Sequence, residues 1–505
     1  MNNPVLERNL LALQRTQPEL ARVLIRYGGD CKDSDEFEIF NRLDPGAKHR
    51  VHLAGFIEPT LVYEWCKSGK EITVYCETLA EILAELRHCD FRQFLFTSAL
   101  RFELGVWRYA FADKGSDELL STPSYKRLAG WVKRVRDSAA EPNVIVANGT
   151  LFVDDTGDAL VELGYCPLLI DVENLPIELW PAPDSLNIEF IVSINDRDGL
   201  EAFAQSLGAR CLVWQIDPDL NEDRSEFPPG FFLGWYKPLK TVEEHRRYLP
   251  LGSNSKRRFP SNFVPQGVSF VGTSMADTGR RYRAAFCDYL IARGVDAEDA
   301  DKRVETFSRE ICEGHVGFSR HRVCEQFPEI GSGIETNLST RTHGVDTTMW
   351  LGEYLASRWR FHVLESLDSA IDVWGDTGWD ELNGAHITFR GRCGHHAELN
   401  RVYGTSLVNL DIGRVYQEEI VTMRVFDVLA SQRLILTPHT PALVELFEPD
   451  HEIVTYRSLE ELNVKIRYFL EHPSEALAIA KRGYQRVVRE HQIVHRLETL
   501  IRWSR

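Results

Sequence analysis

The chain has 505 residues, more than a single hydrophobic core organises, so two to four domains are expected. Apolar residues make up 43% and charged residues 26%, the balance of an ordinary globular protein. A formal charge of −17 argues against a general nucleic-acid binder, which carries a basic face, but leaves room for a local basic pocket for an anion.

The opening "MNNPVLERNLLALQ" lacks the basic region, apolar core and small-residue cleavage site of a signal peptide. No run of 18 apolar residues is present, so no membrane span is expected and the chain reads as cytoplasmic. The ten cysteines are scattered in apolar contexts without a Cys-x-x-Cys pair and read as reduced core residues. His395-His396 and Asp217-Pro-Asp219 are the only metal-like groupings. Adjacent histidines on a helix point apart and no further ligands accompany them, so no metal site is expected.

In chain order, Leu10, Leu13, Leu20, Val23 and Leu24 predict helix over residues 1–27, broken by Pro18. Short strands follow at "HRVHLAG" and "EITVYCE", the second leading into a helix capped by Thr78. This leading accessory domain, residues 1–135, is mixed α and β and offers no clustered chemistry in its sequence. From residue 141 strands alternate with helices of about ten residues: "NVIVANG", "CPLLIDV", "IEFIVSIN" and "ARCLVWQID". That alternation predicts a parallel, doubly wound sheet, with ligands at strand carboxyl ends, here Asn148-Gly149, Asn195-Asp196 and Asp217. The polar, basic stretch "LGSNSKRRFPSNFVPQ" reads as a linker. A second alternating unit starts at "GVSFVGTS", is mostly helical over 280–370, and resumes with "IDVWGD", "HITFRG", "SLVNLDI", "RLILTP" and "EIVTY" before two long closing helices. The expected boundaries are 1–135, 136–258 and 259–505.

Charge gathers in "EEIVTMRVFDVLASQRLILTPHTPALVELFE", residues 418–448. Asn409 and Asp411 end a strand, a loop carries Glu418 and Glu419, and a helix carries Arg424 and Asp427. The next helix opens at His439 and Thr440, where free N–H groups favour an anion, and carries Glu445. An arginine offers a diphosphate two parallel hydrogen bonds, and carboxylates suit sugar hydroxyls, so the set fits a nucleotide-sugar. The spacing equally allows Arg424 and Asp427, at i and i+3, to form a helix-surface ion pair and Glu445 to be simply exposed.

The tail from "RVFDVLASQRLILTPHTPALVELFEPDHEIVTYRSLEEL" to "REHQIVHRL", with upstream "FVGTS", "VWGDTGW" and "SLVNLDI", resembles the CgeB-like branch of the group 1 glycosyltransferases. "NVIVANGTLFVDDTGDALVELGY", "LVWQIDPD" and "RRYLPLGSN" are similar to that family's first domain. The resemblance spans roughly residues 141–505. It implies the GT-B fold, two Rossmann-like domains facing a cleft, and metal-independent, retaining transfer of a sugar from a nucleotide-sugar. The family's paired acids, separated by seven residues, map onto Glu419 and Asp427, with Asp where Glu is usual. "LERNLLALQRTQPELARVL" and "ITVYCETLAEILAELRHCDFRQFLF" resemble the front part of motility-associated factor (Maf) proteins, which implies a protein acceptor such as flagellin docked by the leading domain.

Roles follow from these readings. Glu419, Arg424 and Asp427 are the catalytic candidates. Gly272, Thr273, Arg280, Arg281, Gly391, Asn409, Thr440 and Glu445 are the donor-binding candidates, and Asn148, Asp154 and Asp155 lie on the acceptor side. Gly272 would let backbone approach phosphate and either arginine would supply charge. A non-catalytic scaffold and a nucleotide-sugar epimerase are the alternatives, because fold alone does not establish function.

Overall fold

The computed structural model describes residues 3–27, 46, 48–112, 119–149, 152–181, 186–216, 230–235, 247–313, 317–330, 347–395, 397–417 and 420–504. The chain divides into two compact units, Met1–Trp214 with Trp503–Arg505, and Gln215–Arg502. Both are α/β, built on parallel sheets.

The first unit opens with helices Pro4–Thr16 and Pro18–Tyr27, separated at Gln17 because the Pro18 ring cannot continue the first. Its first sheet contains β1 (Arg50–Ala54), β2 (Glu71–Cys76), β3 (Leu100–Leu104) and β4 (Leu119–Ser121), ordered β3-β2-β1-β4 and all parallel. The expected Thr78 cap is a full capping box, the Glu81 carboxylate returning to the Thr78 N–H at 3.0 Å. Buried Asn9 fixes the leading helix to the Leu79–His88 helix, donating to the Leu86 and Cys89 carbonyls and accepting from the Phe91 N–H. The edge of β3 is closed by Gln17, whose amide donates to the Phe102 carbonyl (2.6 Å) and accepts from its N–H (3.1 Å).

The second sheet of this unit takes β5 (Val144–Ala147), β6 (Pro167–Ile170), β7 (Phe190–Ile194) and β8 (Arg210–Gln215), parallel and ordered β6-β5-β7-β8. The direction of winding reverses between β5 and β7, whose exits carry Asn148 and Asn195.

The second unit has a short strand β9 (Phe231–Leu233), then β10 (Val268–Val271), β11 (Ile371–Trp374), β12 (Ile387–Phe389), β13 (Val408–Leu410), β14 (Leu434–Pro438) and β15 (Val454–Tyr456). The last six form one parallel sheet ordered β12-β11-β10-β13-β14-β15. Relabelled by position this is 3-2-1-4-5-6, the dinucleotide-fold order, with its switch point between β10 and β13. The crossover from β10 to β11 holds helices Ala276–Ile291, Ala297–Cys312, Arg320–Gln326 and Thr347–Glu365. They share a core of their own around Phe286, Phe307, Phe327 and Leu351.

The expected last long helix is two helices, Pro473–Glu490 and Ile493–Trp503. The chain opens between them because backbone at Ser253 pairs there: the Ser253 N–H donates to the His491 carbonyl (3.0 Å), and the Ser253 carbonyl accepts from Ile493 N–H (3.0 Å). The same segment is pinned to Asp427. That carboxylate, 4% exposed, accepts from the Ser253 hydroxyl at 2.6 Å and from buried Arg258 Nε at 3.1 Å. The stretch read as a linker is thus partly a buried strap.

Two outcomes are expected. Asp427→Ala takes the carboxylate from beside the buried Arg258 guanidinium and should lower urea-unfolding stability by about 3–5 kcal/mol; a midpoint unchanged from wild type would contradict the strap. Glu85 is fully buried, with one oxygen accepting from the Ile57 N–H at 3.1 Å, and burial holds its carboxyl well above the usual carboxylate range. The folded state therefore keeps that proton where the unfolded chain releases it, and stability falls as pH rises above the ordinary carboxylate range. Glu85→Gln should raise the melting temperature at pH 8 and change it little near pH 4.5; equal effects at both would refute the assignment.

Candidate functional site

Arg424 sits at the switch point of the second unit's sheet. It is the second residue of helix Met423–Ala430, and its guanidinium reaches both strands that flank the switch. Nε donates to the Val271 carbonyl at the end of β10 (2.8 Å), and Nη1 to Asp411 Oδ1 just past β13 (2.5 Å). The cation lies 4.8 Å from the Phe270 ring centroid. Gly272 makes room for it: a Cβ there would stand 2.9 Å from Arg424 Nη2. Asp411 is 3% exposed and saturated, with Thr422 and Thr437 hydroxyls at 2.9 and 3.0 Å and the Tyr456 hydroxyl on its carbonyl. The helix-surface pair allowed by the Arg424–Asp427 spacing does not form; each partner faces inward to a different residue.

The turn after β10 is held from behind by side chains. Four consecutive carbonyls are each taken by a donor: Val271 by Arg424 Nε, Gly272 by Trp379 Nε1 (2.8 Å), Thr273 by Arg360 Nη1 (2.7 Å) and Ser274 by the Ser357 hydroxyl (2.9 Å). Among the described residues the Thr273 N–H has no hydrogen-bond partner, and Thr273 is exposed. Met275, left-handed at φ +60°, starts the 16-residue helix Ala276–Ile291 without a side-chain cap. The neighbouring amides are engaged, Ser274 N–H with the Asp376 carboxylate (2.7 Å) and Ala276 N–H with the Ser274 hydroxyl (3.1 Å), so the turn offers an anion the Thr273 N–H, with its carbonyls tied back out of the way.

Arg360 adds to that field. It is 6% exposed, and its Nε has no partner among the described residues. Burial, and then the positive charges of Arg424 and Arg414, bring its guanidinium down to about 9. A buried cation discouraged by two others is relieved by an anion placed among them. Nothing in composition signalled Arg360; its one trace is an arginine on the buried side of "YLASRWRFHVLESL".

A cavity of about 260 Å³ opens at Asp411, the partner of Arg424, and is lined in part also by Phe318, Trp359, Arg414, Thr437, Thr440 and Arg457. Arg414 is steadied by Glu353 (3.2 Å) and the Tyr416 hydroxyl (2.6 Å). Arg457 donates to His439 Nε2 (2.7 Å), and burial together with that cation keeps His439 below its ordinary value, as a neutral acceptor.

The other sequence candidates fall in three groups. Glu418 and Glu419 lie outside the described residues, as do Asp217 and His396. Several candidates are engaged in the scaffold. Asp427 belongs to the strap, and Asn409, 1% exposed, lies inside β13, bonded to Ser269 and the Leu434 carbonyl. Gly391 makes a left-handed turn (φ +86°) whose carbonyl accepts from Gly375. Arg280 and Arg281 are exposed; Arg280 pairs with Asp277 and Glu381, and Arg281 reaches the Thr278 hydroxyl. The Thr440 helix, Pro441–Leu446, is only six residues. Pro441 has no N–H and the Thr440 hydroxyl caps Leu443, so it offers an anion less than expected. Glu445 is exposed on that helix and does not line the cavity.

In the first unit, Arg127 brings Asn148 and Asp154 together, donating to them at 3.3 and 3.0 Å, and the Trp131 indole donates to Asp154 at 2.8 Å. Asp155 is half-buried next to them. Beside Asn148, Gly149 leaves space for Arg197, whose Nη2 would lie 2.1 Å from a Cβ there. Among the described residues no three His, Cys, Asp or Glu side chains are grouped to hold a metal, and no helix is long and apolar enough to cross a membrane.

Residues 357–502 match a family model described as glycosyl transferase-like. The match begins in the helix that carries Arg360 and takes in Asp411, Arg424 and Thr437. No curated protein matches the chain significantly. Among solved structures the chain is similar to a glycosyltransferase from Rickettsia africae, at 9% identity over 90% of this chain and 98% of that one, TM-score 0.37. It is also similar to AviGT4, a glycosyltransferase of avilamycin A biosynthesis, at 12% identity over 72% and 98%, TM-score 0.38. A third is Anabaena HepE in complex with UDP-glucose, at 9% identity over 90% and 98%, TM-score 0.29.

Proposed function

We propose that this chain is a glycosyltransferase of the GT-B type, which moves a sugar from a nucleotide-sugar to an acceptor hydroxyl. The observation that carries the reading is the turn at residues 271–274, its four carbonyls tied back beside Arg424 and Arg360. In transfer, the bond between the sugar's anomeric carbon and the diphosphate oxygen breaks as the acceptor oxygen bonds that carbon, and the acceptor's proton passes to the leaving diphosphate oxygen. Negative charge grows on the leaving diphosphate, and fixed donors that need no reorganisation lower that barrier most. The Thr273 amide and the Arg424 guanidinium are assigned that work, in place of a metal ion.

The 260 Å³ cavity takes the rest of the donor, with Trp359 and Phe318 as apolar walls and Thr437 and Arg414 as polar contacts. Glu419 is kept as the acid that faces the sugar, on the strength of the family resemblance alone. Retention of the anomeric configuration comes from the same resemblance. A protein acceptor of flagellin type, docked by the leading domain, comes from that domain's resemblance to Maf proteins, with Asn148, Asp154 and Asp155 on the acceptor side. The Asp at position 427 is no sign of lost turnover in this reading, because its carboxylate holds Ser253 and Arg258 rather than ligand. That favours a catalyst over a scaffold.

Thermal melting with UDP, GDP, ADP, TDP and CMP in turn tests the donor. At about a hundred times its dissociation constant the matching diphosphate should add about 2.7 kcal/mol of stability; no shift with any of them would overturn the reading. Arg424→Lys keeps the charge beside Asp411 but loses the fork, and should weaken that diphosphate at least about tenfold while the unliganded protein melts close to wild type. Gly272→Ala, whose Cβ would crowd Phe270 and Arg424, should weaken the diphosphate as well but also lower the melting temperature of the unliganded protein. Acceptor-dependent release of the diphosphate then separates transfer from epimerisation, which needs no acceptor.

A further inference from the structure

The first sheet breaks a pattern. Parallel strands are ordinarily covered on both faces and read as continuous apolar runs. Here β1, β2 and β3 alternate. Val51, Leu53, Ile72, Val74, Leu100, Phe102 and Leu104 are buried, while Arg50, His52, Glu71, Thr73, Arg101 and Glu103 stand between them, exposed or half-buried. The register sets these polar residues side by side: Arg50 opposite Glu71, His52 opposite Thr73, and Thr73 opposite Arg101. Over that polar face lies a cavity of about 820 Å³, roofed by Trp107, Arg108, Phe111 and Trp180. Its volume falls in the upper part of the range for small-ligand clefts, about 300–1,000 Å³.

The lining defines the ligand. Its charges nearly cancel and are already paired: Arg50 with Glu71 at 2.9 Å, Glu103 with Arg101 at 3.5 Å and Arg108 at 3.9 Å. Such pairs hold guanidinium donors and carboxylate acceptors in fixed positions without a net field for a phosphate or a polyanion. The Trp107 side chain is 5% exposed, and its indole N–H, buried, has no acceptor among the described residues. A buried donor of that kind calls for an oxygen. Aromatic faces beside paired donors and acceptors suit a ligand that is apolar on its flat faces and hydroxylated around its rim.

We infer that this cleft binds a neutral oligosaccharide, with its rings against Trp180 and the exposed Phe111, an oxygen toward the Trp107 indole N–H, and its hydroxyls on Thr73, Arg101 and Glu103. The leading sheet therefore carries clustered chemistry that its sequence was not expected to hold. The inference stands independently of the nucleotide-sugar reading of the second unit.

The test is to probe the full-length protein on an array of neutral, sulfated and phosphorylated oligosaccharides, then titrate the strongest ligand by calorimetry. Neutral oligosaccharides should bind. Trp107→Phe, which removes only the indole N–H and ring area, and Arg101→Ser, an exposed position with little hold on the fold, should each weaken binding about tenfold. Arg424→Lys should leave it unchanged. No neutral ligand at millimolar concentration, binding confined to sulfated or phosphorylated glycans, or wild-type affinity in both cleft variants would overturn the inference.

Discussion

The second unit depends on one buried ion pair. Arg424 bonds the end of β10 and the residue after β13, the two neighbours at which the winding of the sheet reverses. A buried pair of this sort is weak as a source of stability, because desolvation offsets the Coulomb gain. Its value is geometric. Asp411 is held by four further groups or their carbonyl equivalents, so Arg424 has a single place to lie, and Gly272 has to be small for it to lie there. The turn that follows is then fixed by Arg360 and Ser357 from one helix and by Trp379 beyond it. The anion-favouring end of the unit is thus set by long-range contacts rather than by a local motif.

This accounts for what the sequence disclosed and what it withheld. The alternation of short apolar strands with helices gave the parallel sheets, because period and element length are local properties. Gly272, Thr273 and Arg424 were legible as a glycine turn after a strand and an arginine at a helix start. Asp427, Asn409 and Thr440 were read as ligand contacts by the same logic. In the fold Asp427 lies inside a helix and Asn409 inside a strand, engaged by partners far away in sequence, Ser253 and Arg258 for Asp427 and Ser269 for Asn409, while Thr440 caps a helix of only six residues. Arg360 was invisible for the converse reason. Its importance lies in being buried beside Arg414 and Arg424, and burial of a cation cannot be read from spacing.

The first sheet teaches a related lesson. Alternation over "RVHL", "EITV" and "LRFEL" is written plainly in the sequence. It is informative only once the strands are known to be parallel, since an antiparallel sheet with one wet face would alternate in the same way. Topology turned an unremarkable pattern into an unexplained polar face, and the unsatisfied Trp107 indole gave that face a chemical preference.

The central claim is that the Thr273 amide, after β10, receives the diphosphate of a nucleotide-sugar. Hydrogen exchange of residues 271–278, read with and without the diphosphate that stabilises the protein most, tests it directly. The account predicts slower exchange at Thr273 and in the first turn of the Ala276–Ile291 helix when the ligand is bound. Exchange there that is indifferent to ligand, while protection appears elsewhere in the unit, would contradict it.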